Sequence, residues 1–311
     1  MRHKPALWGT LSLLLALAVS LLPGCATAPE PATPPETTIT DQLGRAVSLN
    51  AVPQRIISLA PSNTEILFAL GLADRVVAIT DYCNYPPEAK GKPSIGGFST
   101  PNIEEIIALA PDLVLATSIH ETEIIPQLEA RGITVFALNP KTIDQVLAAI
   151  SLVGRVTGAE PAAAGLVAGL QPRISSVTDR TQNLSAEQRP ATLYIVWHDP
   201  LMIAGTGTLP HTLIDRAGGT NIGHKIKDYG DISLEAVIDA DPAVLIAGTG
   251  HGTGADAPFQ YIQNEARLRD TTARQQDNIY AINSDLPGRG GPRIVDALEQ
   301  FARFIHPEVF K

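Results

Sequence analysis

The feature that most constrains the fold is an internal repeat. Residues 103–116 (IEEIIALAPDLVLA) and residues 234–247 (LEAVIDADPAVLIA) align without a gap, 131 positions apart. In each copy a short amphipathic stretch is followed by a proline and a run of aliphatic residues. Proline ends a helix before it, and an unbroken aliphatic run is typical of a buried parallel strand. Each copy therefore predicts a helix followed by a strand, in two related halves of the chain.

Both copies lie in a longer alternation of predicted strands and helices. Strands are predicted at 55–60, 76–80, 113–116 and 134–138 in the first half, and at 192–197, 244–247 and 278–283 in the second. Ser62 or Asn63 is expected to cap the first helix, with Glu65 in its first turn and Gly71 at its end. The alternation predicts an α/β fold with a parallel sheet in each of two lobes.

The lobes are assigned to residues 51–141 and 189–311, and the second ends in a final helix. Residues 142–188 are rich in Ala, Leu, Val and Gln with helical spacing, and predict a long connecting helix. Interruptions are expected at 158–161 and near Pro172. Because open α/β sheets bind ligands beyond the carboxyl ends of their strands, a cleft is expected between the lobes.

The N-terminus predicts secretion. Arg2 and Lys4 precede an apolar run at 11–22. A run of about 12 residues is too short to span a bilayer, and it suits the signal peptide assigned to residues 1–24. No second apolar run is long enough for a membrane span.

Cys25 ends the stretch Leu-Pro-Gly-Cys, which resembles a bacterial lipoprotein cleavage box. An ordinary cleavage near Ala26 or Ala28 is the alternative. Residues 25–50 are interpreted as a lipid-anchored flexible tether and lead-in, because 26–38 are rich in Pro, Thr, Ala and Glu without apolar periodicity. The expected location is extracytoplasmic, attached to a membrane.

Charge and cysteine content restrict the partners. The formal charge is −9, and loss of Arg2 and Lys4 takes it two units lower, to −11. Such acidity argues against nucleic acid as a partner. Cys25 and Cys83 are the only cysteines, so no structural disulfide is expected if Cys25 carries lipid.

Enzyme signatures are missing from the sequence. It contains no Gly-x-Ser-x-Gly, no His-Glu-x-x-His and no Gly-x-x-x-x-Gly-Lys-Ser/Thr motif. The histidines are dispersed and predict no metal site: His3, His120, His198, His211, His224, His251 and His306. We therefore predict a protein that is not an enzyme, with a cell-surface α/β enzyme as an alternative.

Aromatic residues make up only 5% of the chain, so their placement is informative. Five of them follow predicted strands or precede predicted helices on the expected cleft side: Tyr82, Tyr85, Phe98, Trp197 with His198, and Tyr229. Packing under loops is the alternative for each single ring. Together they predict flat aromatic walls for a large planar ligand.

Charged residues suggest two further roles. Glu104 and Glu235 occupy the same position in the two repeats. As a pair they suit two arginines on a two-fold symmetric partner, and stabilisation of a helix dipole by each Glu alone is the alternative. Arg289 and Arg293 follow Asp285 in a turn rich in Gly and Pro, where Arg289 suits an amide, carboxylate or phosphate and a solvated loop charge is the alternative.

Several of these segments resemble one known family. The matching motifs are residues 55–65, 82–87, 102–104, 109–112 and 292–294. Over residues 52–306 the chain resembles the vitamin B12-binding proteins of the periplasmic binding protein family that serves ABC importers. That wider family includes haem and iron-siderophore receptors. Residues 81–87 and 197–200 are more similar to the corrinoid branch.

The resemblance implies two Rossmann-like lobes, bridged by one long helix, that move little on binding. It places the family's docking glutamates at Glu104 and Glu235, facing a permease dimer. It also places ligand contacts at Tyr82, at Phe98 and Tyr229 (where the family has tryptophan), and at Arg289 with Asp285 nearby. Trp197 and His198 have no counterpart of the same type, so their contact role follows from position alone.

We therefore expect a monomeric corrinoid-binding lipoprotein without catalysis or cofactor, which delivers cobalamin to an importer. A haem or ferric-siderophore receptor of the same fold is the alternative. Haem usually needs an axial Tyr or His, for which His198, Tyr82 and Tyr229 are candidates. A siderophore receptor usually carries more cationic residues than Arg289 and Arg293 supply.

Overall fold

The computed structural model describes Met1 and residues 37–250 and 256–310. The predicted signal peptide after Met1, the predicted lipid site Cys25 and the tether up to residue 36 lie outside these residues. The fold described below lies in the compact unit Glu36–Lys311. Within the described part of the chain, no helix is both long enough and apolar enough to cross a membrane.

A hairpin opens the fold, with β1 (Thr37–Thr40) antiparallel to β2 (Ala46–Leu49). Its turn contains the buried Asp41, whose carboxylate accepts hydrogen bonds from the backbone N–H groups of Arg45 (2.9 Å) and Ala137 (3.1 Å). The second half of the predicted lead-in is therefore bonded to the first lobe.

The first lobe alternates strands and helices as predicted. Its elements are β3 (Ile56–Ser58), α1 (Pro61–Ala69), β4 (Val76–Ile79), α2 (Ile103–Ala108), β5 (Leu113–Thr117), α3 (Ile124–Glu129) and β6 (Val135–Leu138). The four strands form one parallel sheet in the order β4-β3-β5-β6. Nearly all strand residues are buried, as a parallel sheet covered on both faces requires.

The start of α1 differs from the prediction. Pro61 is its first residue, and Ala60 precedes it without a side-chain cap. Proline suits this position because its φ is already helical and its missing N–H needs no partner. Ser62 and Asn63 therefore lie inside the helix, and Glu65 lies beyond the first turn and is buried.

Two helices form the connector, α4 (Ile143–Thr157) and α5 (Glu160–Thr181). The interruption expected at 158–161 is confirmed: Gly158 has φ of 68°, in the left-handed region that glycine enters readily. The predicted single connector helix is therefore a pair of helices.

The interruption expected near Pro172 is wrong, because α5 continues through it. Proline in a helix interior removes one backbone hydrogen bond. The next residue, Arg173, donates to Glu299 through Nε and Nη2, both at 2.8 Å, and to Asp296 at 2.6 Å. Packing against the C-terminal helix thus outweighs the local preference.

The second lobe contains the remaining elements. They are β7 (Ala191–His198), β8 (Leu201–Ala204), α6 (Leu209–Arg216), β9 (Thr220–Asn221), β10 (Tyr229–Asp231), α7 (Leu234–Asp239), β11 (Val244–Thr249), α8 (Ala257–Asn264), α9 (Thr272–Gln275), β12 (Ile279–Asn283), α10 (Asp285–Gly288) and α11 (Ile294–Ile305). The strand order is β10-β8-β7-β11-β12, and β9 pairs with β7.

This second sheet is mixed, whereas the sequence predicted a parallel one. Strands β7, β9, β11 and β12 pair in parallel, but β8 is antiparallel to β7 and to β10. Only Asp199 and Pro200 separate β7 from β8. A two-residue connection joins antiparallel strands, because parallel neighbours need a crossover.

The internal repeat extends to the backbone. Asn102 caps α2 by accepting from the N–H of Glu104 (3.1 Å), and Ser233 caps α7 at the equivalent position by accepting from the N–H of Ala236 (3.1 Å). Each helix is followed by a left-handed residue before the proline. The offset of the repeat therefore superposes caps, helices and strands.

One apolar core joins the lobes. It runs from Phe136 in β6 through Ile150 in α4 and Ile174 in α5 to Phe301 in α11. Each lobe keeps a second cluster of its own beyond its sheet. Separating the lobes would expose the shared core to water, so hydrophobic burial favours a fixed arrangement.

Candidate functional site

Exposed aromatic side chains lie near the carboxyl ends of parallel strands in both sheets and on the edge strand β10. Tyr82 follows β4, Trp197 is the next-to-last residue of β7, and Tyr229 is the first residue of β10. They expose 63%, 36% and 47% of their surface, respectively. Exposed large aromatic residues at the mouth of a cleft mark a surface that contacts a ligand or partner.

Next to the backbone of Tyr82 lies a buried group of charges, here called the floor cluster: Glu65, Asp285, Arg289 and Arg293. Glu65 belongs to the first lobe and the other three to the second. Arg293 Nε donates to Glu65 Oε2 at 2.9 Å, and its Nη2 pairs with Oε1. Arg289 Nη1 lies 3.3 Å from the same Oε1, and the side chain of Glu65 is only 2% exposed. The floor cluster therefore links the lobes.

Arg289 is held by protein groups on both terminal nitrogens. Nη1 donates to Asn84 Oδ1 at 2.8 Å in addition to Glu65. Nη2 pairs with Asp285 Oδ1 at 2.8 Å and lies 3.3 Å from the carbonyl of Tyr82. Two carboxylates thus balance two guanidinium groups, the condition under which buried charges are tolerated.

The floor cluster also supports an aromatic ring. The guanidinium carbon of Arg293 lies 3.8 Å from the ring centroid of Tyr85, a cation–π contact. Burial acts to lower the pKa of Arg293, but the hydrogen bonds and charge of Glu65 outweigh it, and the pKa is raised. Arg293 therefore remains charged under Tyr85.

The first-lobe wall is built from loops that bond to one another. The N–H of Asp81 donates to the carbonyl of Gly96 at 2.9 Å, which ties the Tyr82 loop to the Phe98 loop. Phe98 is half-buried and meets the buried His120 edge to face, with ring centroids 5.5 Å apart. His120 Nε2 lies 2.7 Å from the carbonyl of Phe98. Phe98 is thus held in place by a histidine.

The second-lobe wall centres on Trp197 and His198. Their ring centroids are 4.9 Å apart, and His198 lies 6.1 Å from the ring of Tyr261. Trp197 Nε1 donates to the carbonyl of Asp199 at 3.0 Å. Within the described residues, His198 Nδ1 is a buried nitrogen without a hydrogen-bond partner.

The predicted contact residues thus fall into separate groups. One contains Tyr82, Asp285 and Arg289, and another contains Trp197 and His198. Phe98 pairs with His120, which had not been selected as a site residue. Tyr229 contributes an exposed ring on β10.

Sequence analysis missed Glu65 and His120 as parts of the site. Glu65 is the only charged residue of α1, in the stretch Thr-Glu-Ile-Leu-Phe that is otherwise buried in apolar surroundings. His120 stands three positions beyond the last residue of β5, at the ligand side of the sheet. An acid inside an apolar helix and a histidine directly after a buried strand were the available signals.

Glu104 and Glu235 lie outside the cleft, near the starts of α2 and α7. Both are exposed. Glu235 Oε1 is 3.8 Å from Arg267 Nη1, and this exposed pair contributes little to stability. Both carboxylates are therefore accessible to a partner.

Besides the aromatic walls and the floor cluster, the described part of the chain contains a buried free thiol and a cavity, but no cluster of candidate metal ligands. It contains no group of three or more His, Cys, Asp or Glu residues arranged to hold a metal ion. The thiol of Cys83 is buried between the hydroxyls of Thr64 (3.1 Å) and Thr80 (3.3 Å). A cavity of about 590 Å³ lies at the opposite end of the second lobe, by Gln188, Asn278 and His306, and is remote from the aromatic walls.

Comparison with known proteins identifies the family. Residues 56–286 match the family described as periplasmic binding protein. An uncharacterized ABC transporter substrate-binding lipoprotein of Bacillus subtilis is 28% identical over 330 aligned positions, covering 100% of both chains. A cobalamin-binding protein of Halobacterium salinarum is 29% identical over 310 positions, covering 94% of this chain and 83% of the relative.

Solved structures agree with this assignment. The periplasmic vitamin B12 binding protein of Vibrio cholerae has a TM-score of 0.71 at 27% identity, covering 82% of this chain and 98% of its own. A periplasmic heme-binding protein from a Roseiflexus species has a TM-score of 0.73 at 28% identity, covering 82% and 99%. The predicted α/β fold and the prediction of a protein without enzymatic activity are both confirmed, because the chain belongs to the periplasmic binding protein family, a non-enzymatic component of transport.

Proposed function

We propose that the chain is the lipid-anchored solute-binding protein of an ABC importer and that it captures a corrinoid, such as cobalamin, between its lobes. The observation that carries the proposal is the set of exposed rings, Tyr82 on the first lobe and Trp197 and Tyr229 on the second. Flat aromatic surfaces suit a large planar macrocycle, which loses apolar hydration against them. The cobalamin-binding relative that aligns with 94% of the chain supports the same ligand class.

In this proposal the contact residues form two walls and a floor, which have different roles. Tyr82 and Phe98 form the first-lobe wall, and Trp197, His198 and Tyr229 form the second. Asp285 and Arg289 lie under the amide rim of the ligand. Because Arg289 is already bonded on both terminal nitrogens, its main contribution is to hold the floor in place.

Haem is the alternative ligand with a specific observation in its favour. His198 lies in the second-lobe wall beside Trp197, and imidazole is a common axial ligand of haem iron. A ferric siderophore fits less well. Its negative charge calls for free cations, whereas Glu65 and Asp285 already neutralise Arg289 and Arg293.

The test is a calorimetric titration of the purified protein with cyanocobalamin, haemin and a ferric siderophore side by side. We expect one-to-one binding of cyanocobalamin alone, with Kd below about 1 µM. Binding of haemin alone would replace the corrinoid by haem and direct mutagenesis to His198. Binding of none of the three would overturn the proposal.

Delivery is assigned to Glu104 and Glu235, one exposed carboxylate on each lobe. Each would pair with an arginine of a two-fold symmetric permease dimer, the partner of this protein. The double substitution Glu104→Ala with Glu235→Ala should abolish transport and leave ligand affinity unchanged. Normal transport by the double variant would exclude this docking role.

Attachment to the membrane is assigned to Cys25, after removal of residues 1–24. The protein would act as a monomer outside the cytoplasm, joined to its anchor by the tether. Cys25→Ser should release the protein from the membrane fraction. A variant that still sediments with membranes would exclude lipid attachment at this residue.

A further inference from the structure

We infer that His120 is a positioning residue for the ligand wall, which fixes Phe98 by bonding the Phe98 loop through one ring nitrogen and the end of β5 through the other. The inference rests on the proposed role of Phe98 as a ligand contact. His120 itself is fully buried, so it acts through Phe98 and does not touch the ligand.

The hydrogen bonds of His120 define its tautomer. The N–H of Thr117, the last residue of β5, donates to Nδ1 at 3.0 Å. Nδ1 is therefore the acceptor and carries no proton. Nε2 must carry the proton, and it donates to the carbonyl of Phe98 at 2.7 Å. A single neutral tautomer of His120 thus makes both hydrogen bonds, as acceptor from Thr117 and as donor to Phe98.

The ring of His120 also restricts the orientation of the Phe98 ring. The two meet at an interplanar angle of 79°, an edge-to-face arrangement. The Phe98 loop contains Gly96, with φ of 91°, and Gly97 directly before the aromatic residue. Glycines leave a backbone many conformations, so a bond to the Phe98 carbonyl restricts a segment that would otherwise be free.

Protonation would break this arrangement. A second ring proton on Nδ1 would face the N–H of Thr117, donor against donor. Burial lowers the pKa of His120 from its ordinary value of 6.5, and the hydrogen bond to the Phe98 carbonyl opposes that effect only in part. The neutral form is therefore favoured in the fold, and protonation on acidification releases the contact.

One ionisable group besides His120 contacts the Phe98 loop, because the Asp81 carboxylate accepts a hydrogen bond from Ser94 Oγ. His120→Gln separates the two groups, since it removes the imidazole and leaves Asp81 in place. Residues 94–102, which include the loop bonded to His120, contain no titratable side chain, and neither does β5. Glu121 and Glu123 follow His120 in the chain and are exposed. The Phe98 carbonyl and the Thr117 N–H are thus the groups that decide the state of His120.

Two substitutions separate the roles of the ring nitrogens. In His120→Gln the amide nitrogen takes the place of Nε2 and keeps the donor to Phe98. In His120→Asn the amide oxygen takes the place of Nδ1 and keeps the acceptor for Thr117 but loses the donor. His120→Gln should keep cyanocobalamin affinity within about threefold of the wild type, and His120→Asn should weaken it about tenfold, the effect of one hydrogen bond to a buried carbonyl.

A double-mutant cycle shows whether His120 works through Phe98. In the Phe98→Ala background, His120→Asn should have no further effect on affinity. Additive losses would overturn the inference while leaving the proposed ligand in place. Unchanged affinity of Phe98→Ala would remove Phe98 from the contact residues, and the role of His120 in binding with it.

Two readouts complete the test. In the ligand-free protein, amide hydrogen exchange across residues 96–101 should accelerate in His120→Asn but not in His120→Gln, and equal protection in His120→Asn would overturn the inference even if no tested ligand binds. Wild-type affinity should fall as the pH decreases below about 6.5, and this fall should be absent in His120→Gln and retained in the control His211→Gln. A decline that persists in His120→Gln would assign the response to another group.

Discussion

The floor and the walls of the cleft differ in the chemistry of their side chains. The floor cluster consists of charged side chains that are almost entirely buried and paired with one another across the lobes. The walls consist of aromatic rings that each leave part of their surface exposed. A floor whose hydrogen bonds are satisfied by protein has little left to offer a ligand, whereas exposed rings have apolar surface to bury.

This contrast separates two roles that sequence analysis had combined. Arg289 and Trp197 were both predicted as ligand contacts. The structure binds Arg289 into an interlobe network and leaves Trp197 at the surface with one hydrogen bond to a neighbouring carbonyl. The floor should therefore determine the stability of the protein, and the walls should determine its affinity.

The largest effect is expected from the floor. Glu65→Gln removes the carboxylate that serves both arginines and leaves them short of one negative charge in a buried place. We expect a loss of about 3 kcal/mol in the free energy of unfolding, measured by chemical denaturation.

The exposed pair between Asp144 of the connector and Arg216 of the second lobe provides the control for this prediction. Its carboxylate is 67% exposed, so Asp144→Asn should cost less than about 1 kcal/mol. Equal losses for Glu65→Gln and Asp144→Asn would show that burial does not increase the contribution of the floor cluster to stability.

A substitution in a wall should change ligand affinity much more than stability, the opposite of a substitution in the floor. Trp197→Ala removes a large exposed ring, and we expect cyanocobalamin affinity to fall about 10- to 100-fold with little change in unfolding free energy. Titration calorimetry and denaturation of the same preparation measure both quantities.

Tyr280 is the matched aromatic control, because its ring stacks on Phe304 at a centroid distance of 4.4 Å away from the walls. Tyr280→Ala should lower stability and leave affinity unchanged. If Trp197→Ala lost stability and kept affinity, the division between walls and floor would be wrong at this residue.

The smallest effect tests the junction between floor and wall. Arg293→Lys keeps the positive charge but loses the two-pronged bond to Glu65 and the flat contact with Tyr85. We expect about 1 kcal/mol of lost stability by denaturation. Arg303→Lys, at an exposed position of the same helix, should be neutral, and equal effects of the two substitutions would argue against a specific role for the guanidinium plane.

The sequence predicted those parts of the fold that depend on local pattern. The repeat located α2 with β5 and α7 with β11, because helix caps, proline and aliphatic runs act within a few residues. The antiparallel strand β8 was not predicted. The length of the two-residue connection between β7 and β8 indicates it, whereas the hydrophobic periodicity used for the prediction does not.

The missed site residues depend on contacts between distant parts of the chain. Glu65 meets Arg293 across 228 positions, and although its apolar surroundings in the helix indicate burial, the local sequence does not identify the partner. His120 meets Phe98 across 22 positions and a sheet edge. Such partners are set by how strands order in the sheet, which spacing alone does not determine.

The central claim is that a fixed floor holds two ligand-binding walls at a constant separation. The most direct test is the distance between spin labels at Lys90→Cys and Arg269→Cys, exposed positions on the two lobes, measured with and without cyanocobalamin. We predict a change of less than about 2 Å in the mean distance, with a broader distribution in the Glu65→Gln background. A ligand-induced closure well above about 2 Å in the wild type would show that the floor is a hinge and would contradict this account.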